Sequence, residues 1–81
     1  MKVQLKIIKT NFTSDNNWLF LLSNDKTEDR YYIMDSSFYK EHNLKSPITN
    51  RELDFYDVGQ QIIANVDQIA DQNIVVKILS D

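Results

Sequence analysis

The chain has 81 residues, a formal net charge of -3, and 42% hydrophobic, 26% charged and 11% aromatic side chains. A chain this short buries only about 60–65% of the surface its unfolded form exposes, so one domain over residues 1–81 with one modest core is expected, and the balanced composition excludes wholesale disorder. With no cysteine, one histidine and one glycine, disulfides, thiolate catalysis, cysteine-based metal sites and glycine-rich phosphate loops are excluded.

No apolar run reaches the roughly 20 residues that span a bilayer. Met1-Lys2-Val3-Gln4-Leu5-Lys6 lacks the apolar stretch of a secretory signal. A cytoplasmic protein with no membrane partner is the expectation. Charge is uneven: residues 1–45 hold seven Lys/Arg and six Asp/Glu, residues 46–81 two and six. A duplex-binding protein carries a dense basic face. Here the only basic cluster is Lys2, Lys6 and Lys9, which argues against strong non-specific duplex binding. A single strand remains open, because stacking on aromatic rings supplies part of that affinity. The acidic C-terminal half fits a protein with a basic surface equally well.

In chain order, residues 2–9 alternate, with Val3, Leu5 and Ile7 on one face and Lys2, Gln4 and Lys6 on the other, the period of a half-buried strand. Residues 10–17 are turn-formers around Phe12. Residues 18–22 (Trp-Leu-Phe-Leu-Leu) make a second strand and residues 30–34 (Arg-Tyr-Tyr-Ile-Met) a third, joined by a polar turn at 23–29, so the first three strands read as an antiparallel meander. Asp35, Ser36 and Ser37 are N-cap residues for a helix over about 36–43, which Ser46-Pro47 should break. Thr49 and Glu52 have capping-box spacing, predicting one more helical turn at 50–56. Gly59 ends this region. Ile62, Ala64 and Val66 alternate with Ile63, Asn65 and Asp67 in a fourth strand, and residues 74–79 form a β-branched fifth. The link at 68–73 suits a hairpin. There is no repeat or linker.

The order β-β-β-α-β-β resembles the OB-fold, a small five-stranded barrel with a helix between strands three and four. Three segments carry the resemblance, which is to the anticodon-binding, single-stranded nucleic-acid-binding type. They are Asn17-Trp18-Leu19-Phe20-Leu21-Leu22, the Val58-Gly59 turn opening the strand up to Val66, and Ile74-Val75-Val76-Lys77-Ile78-Leu79. It implies a mainly β, antiparallel five-stranded barrel. OB first strands often bend at a glycine, and residues 1–17 contain none. An SH3-like barrel or an open α+β sheet is the alternative.

OB domains bind single strands or oligosaccharides across strands two and three and the flanking loops. The resemblance therefore implies a face of Trp18 and Phe20, Arg30 and Tyr32, with Lys6 beside them and Asn16 and Asn17 in the first flanking loop. Rings would stack on bases and cations would meet phosphates. Core packing is the competing role for Trp18 and Phe20, since Leu19, Leu21 and Leu22 can equally form the inward set. Tyr31 and Tyr32 are neighbours, so one points in and one out. Lys2, Lys6 and Arg30 also fit a solvated outer face. Asp67 and Asp71 suit a turn and would repel a phosphate.

His42 has no nucleophile-elbow motif to serve. Glu52, Asp54 and Asp57 lack calcium-loop spacing and suit a solvated surface. No enzyme activity, cofactor or metal is expected. The leading expectation is a non-enzymatic module that binds single-stranded nucleic acid. The alternative is an acidic protein-binding inhibitor or adaptor of phage or mobile-element type, acting through Glu52, Asp54, Asp57, Asp67 and Asp71. An Asn-rich, Gly-poor composition fits an AT-rich genome. Exposed strand edges would also permit a homodimer.

Overall fold

The computed structural model describes residues 1–13 and 17–80. Its elements are β1 (Lys2–Thr10), β2 (Trp18–Ser23), β3 (Arg30–Met34), a short helix α1 (Ser36–Glu41), a 3₁₀ helix (Asn50–Phe55), β4 (Gln61–Ile69) and β5 (Gln72–Ser80). The strands close a barrel in the order β1-β2-β3-β5-β4, with β4 paired back onto β1. The fold is mainly β, a closed five-stranded barrel compatible with an OB-like architecture. Asn16, expected in the first flanking loop, lies outside the described residues.

The expectation of a purely antiparallel barrel is corrected. The β1–β2, β2–β3, β1–β4 and β4–β5 pairs are antiparallel, but β3 and β5 run parallel, in register at Tyr32 and Ile74. The reason is parity: around a closed ring of five strands, direction cannot alternate at every step. The parallel step falls at β3–β5 because the β3–β4 connection carries β4 to the free side of β1, and the hairpin to β5 then fills the last gap.

Each strand turns alternate side chains into the barrel. Leu5 and Ile7, Phe20 and Leu22, Tyr31 and Ile33, Ile62, Ala64 and Val66, and Val75 form the main core. Burying each aliphatic side chain contributes roughly 1.5–3 kcal/mol. Buried Ile48, with half-buried Leu53 and Tyr56, packs against this core from the β3–β4 connection and plugs the barrel end where β1 finishes and β4 begins.

β1 contains no glycine, and a bulge interrupts its regular pairing. Ile7 pairs with Leu22 and Lys9 with Leu21, leaving Ile8 as an extra residue in β1. A second irregularity leaves Leu19 extra in β2. Bulges bend a strand and increase its local twist, which lets a glycine-free β1 pair with both β2 and β4.

Asp35 caps α1, its Oδ1 accepting the Ser36 amide at 2.7 Å. The helix stops at Glu41, short of the expected residue 43 and well before Pro47. Asn43 adopts a left-handed conformation (φ 58°), the Leu44 amide donates to the Tyr39 carbonyl, and the Asn43 amide to that of Lys40. This is the Schellman arrangement, with asparagine in the usual glycine place. The second helical turn is 3₁₀ rather than α, and its expected capping box joins Thr49 and Glu52.

Tyr39 fastens α1 to the barrel. It is fully buried in a smaller cluster with Met34 and Ile74, against which Trp18, Tyr32, Phe38, Ile69 and Val76 pack. Its hydroxyl accepts the Met34 amide of β3 at 3.2 Å and donates to the Val75 carbonyl of β5 at 2.6 Å. One hydroxyl therefore joins the two strands of the parallel seam. Burial pushes its pKa from 10.0 up to about 12, with the Met34 hydrogen bond pulling slightly the other way.

The β4–β5 strands are longer than the alternation suggests, and only Ala70 and Asp71 form the turn between Ile69 and Gln72. Both have positive φ, 52° and 64°, the geometry of a type I′ hairpin turn that favours Asn and Gly.

Three outcomes are expected. Tyr39→Phe leaves the Met34 amide and the Val75 carbonyl unpaired and lowers stability by about 1–3 kcal/mol in urea unfolding. Because the folded state keeps a proton that the unfolded chain releases above pH 10, wild-type stability falls between pH 10 and 12 by up to roughly 1.4 kcal/mol per unit from this group, and the Phe variant loses that component. Ala70→Asn relieves the left-handed alanine and raises stability by about 0.5–1 kcal/mol, read as a higher denaturation midpoint.

Candidate nucleic-acid interface

The outer faces of β1, β2 and β3 form a continuous surface in cross-strand rows. Lys6 of β1 lies opposite Ser23 of β2, which lies opposite Arg30 of β3. The next row is Lys9, Leu21 and Tyr32, and the last pairs Trp18 with Met34, which is buried in the cluster around Tyr39. Neighbouring strands are about 4.8 Å apart, so Lys6 and Arg30 stand roughly 10 Å apart on the sheet. Lys6, Lys9 and Arg30 are exposed, and Leu21, Tyr32 and Trp18 are half-buried.

The expected site residues divide. Lys6, Arg30, Tyr32 and Trp18 share this outer surface. Trp18 and Tyr32 sit with ring centroids 6.1 Å apart and planes tilted by 54°, each partly covered by the smaller cluster that Tyr39 anchors. Asn17 is exposed, and its carbonyl accepts the Asp35 amide at 2.8 Å. It borders a shallow pocket with Ser37, Phe38 and Glu41, at the Trp18 end of the surface and away from Lys6 and Arg30.

Phe20 is a correction. It is 0% exposed and sits inside the barrel, edge-on to Phe12 at 5.3 Å and to Tyr56 at 6.1 Å. The bulge at Leu19 puts Trp18 outside and Phe20 inside, although the two are two residues apart and would share a face on a regular strand. Phe20 belongs to the core and is closed to a base. Of the two adjacent tyrosines, Tyr31 points in and is buried, and Tyr32 points out.

Lys9 is the residue that strict alternation misses. Period two groups it with Val3, Leu5 and Ile7, facing inward. The extra residue at Ile8 shifts the parity, so Lys9 joins Lys6 on the outside. The signal is present in the sequence: Ile7-Ile8 are consecutive apolar residues in an otherwise alternating strand.

The acidic residues form no single face. Glu52, Asp54 and Asp57 lie on the 3₁₀ helix and the turn leading to β4, whereas Asp67 and Asp71 lie at the far end of β4 and in its hairpin. Nine-residue β4 separates the two groups by roughly 25 Å at about 3.3 Å per residue. Glu52 is already engaged, its Oε1 accepting the Thr49 amide at 3.1 Å and hydroxyl at 2.9 Å. Among the described residues no group of three His, Asp or Glu side chains is placed to hold a metal ion. His42 is exposed, with Nδ1 at 2.8 Å from the Phe38 carbonyl and its ring 4.3 Å from that of Phe38. Among the described residues no helix is long and apolar enough to cross a membrane.

Comparison with protein-family models, with curated proteins and with solved structures gives no significant match.

Substitution separates core from surface. Phe20→Ala is expected to cost about 3–5 kcal/mol in chemical denaturation. Lys6→Ala and Arg30→Ala are expected to stay within about 0.5 kcal/mol of wild type.

Proposed function

We propose that the protein is a non-enzymatic binding module of OB-fold type whose outer β1–β3 surface takes single-stranded nucleic acid. The carrying observation is the convergence of Lys6, Lys9 and Arg30 on one surface with the Trp18–Tyr32 pair. A helical connection between β3 and β4 of a closed five-stranded barrel supports the OB assignment. Trp18 and Tyr32 are half-buried and held in place by the cluster that packs against them, and stacking on their exposed parts contributes about 1–3 kcal/mol per base. The three cations meet the phosphates. Asp67 and Asp71 lie at the far end of β4, at the second flanking loop, and restrict the strand to the β1–β3 surface. A short surface of this kind, with three cations and no duplex-sized basic face, suits a few nucleotides of single strand bound with modest affinity.

Trp18, the only tryptophan, reports directly. Its fluorescence is expected to be quenched by oligo-dT, and three phosphate contacts give a slope of log affinity against log salt of about -2. Lys9→Ala lowers that slope by about 0.7. Tyr32→Ala, measured by anisotropy of a labelled oligonucleotide, weakens binding about tenfold. Salt-independent quenching, or unchanged affinity in both variants, rejects the site.

A further inference from the structure

The barrel end plugged by the 3₁₀ helix exposes an apolar patch that the nucleic-acid surface does not use. Phe55 is 66% exposed, Val58 59%, Phe12 49% and Ile8 37%, four of the seven large hydrophobic side chains exposed among the described residues. The backbone brings them together. The Gly59 amide donates to the Ile7 carbonyl at 2.7 Å and the Ile7 amide to the Gln60 carbonyl at 2.9 Å, which sets the chain at Val58 next to the chain at Ile8. Phe12 and Tyr56 both pack edge-on against Phe20, bringing the Phe12 loop to the Phe55 segment. Isolated exposed apolar residues are ordinary, but a contiguous group with a polar rim marks an interaction site.

The rim is acidic. Exposed Asp54 and Asp57 alternate with Phe55 and Val58 along the same turn. Residues 49–58 carry Arg51 against Glu52, Asp54 and Asp57, a net charge of -2. A second copy of this chain is a poor occupant, because a two-fold interface would set this negative segment against itself. A nucleic-acid strand is repelled for the same reason. We infer that the patch of Ile8, Phe55 and Val58, rimmed by Asp54 and Asp57, is a docking site for a protein segment that presents apolar side chains flanked by lysine or arginine. The apolar contacts supply affinity and the carboxylates supply orientation and selectivity. The inference does not depend on the nucleic-acid reading, although Ile8 is next in the chain to Lys9 of that surface. It also divides the acidic residues: Asp54 and Asp57 take part, and Asp67 and Asp71 do not.

The test uses two synthetic amphipathic helical peptides with the same leucine positions, one carrying lysine and the other glutamate on the flanks, titrated into isotopically labelled protein. The Leu/Lys peptide is expected to shift the amides of Ile8, Phe55 and Val58, and the Leu/Glu peptide to leave them in place. Phe55→Ser with Val58→Ser, both at exposed positions, should weaken binding at least about tenfold with an unchanged melting temperature. Asp54→Lys with Asp57→Lys should transfer the preference to the Leu/Glu peptide. Equal binding of both peptides, shifts centred on Asp67 and Asp71, or full binding by the Ser variant would overturn the inference. So would a wild-type dimer in sedimentation that the Ser variant loses, which would name a second copy as occupant, or oligo-dT shifting these same amides. The Ser variant should retain its Trp18 quench by oligo-dT, so failure of either site leaves the other standing.

Discussion

The hydroxyl of Tyr39 is the point on which closure of the barrel turns. An odd number of strands forces one parallel step, and in the β3–β5 seam only Tyr32 and Ile74 are in register. Tyr39 inserts an oxygen between the Met34 amide and the Val75 carbonyl, groups that would otherwise lack a partner at the seam. Buried polar groups are costly when unpaired, so this one side chain serves as an extra rung and also secures α1. The smaller cluster around it in turn packs against Trp18 and Tyr32. The seam, the helix and the aromatic part of the candidate surface therefore share one support.

The two bulges do for the outer surface what Tyr39 does for the seam. The one at Ile8 bends β1 so that it can serve both neighbours, and the same extra residue turns Lys9 outward beside Lys6. The one at Leu19 divides Trp18 from Phe20, giving one to the surface and the other to the core. Barrel curvature and the placement of charge and aromatic rings thus come from the same irregularities. A regular β1 and β2 would close the barrel less readily and would present a different set of side chains.

Much of this is readable from residue order. The alternation of Val3, Leu5 and Ile7 marks β1 and its inward face, Tyr31 and Tyr32 must point oppositely, and the Thr49–Glu52 spacing announces a capped turn. These signals are local, each fixed by dihedral preference or by period. What escapes is set at longer range. Residues 18–22 are apolar throughout, so parity there rests on a bulge that only pairing with β3 reveals. The parallel seam follows from closing the ring and leaves no trace in any one strand. The acidic residues look like one group in sequence, but an intervening strand holds them apart. The stop of α1 at Glu41, set by left-handed Asn43, is local, yet an asparagine replaces the glycine that would have advertised it.

The way β1 is shared has a consequence for the time course of folding. Its pairs with β4 run from Lys2 with Asn65 to Lys6 with Gln61, so the barrel is closed by contacts between chain segments far apart in sequence. The β1–β2–β3 meander can assemble from neighbouring residues, but it has an open edge until β4 arrives and the β4–β5 hairpin docks. Topologies dominated by such distant pairings fold in roughly milliseconds to seconds, where local helical bundles take microseconds. During that interval the meander exposes the inner faces of Leu5, Ile7, Phe20 and Leu22 along with an unpaired strand edge, the combination most prone to intermolecular pairing. Lys2 and Lys6, on the outer face of that waiting edge, place charge where a wrong partner strand would add.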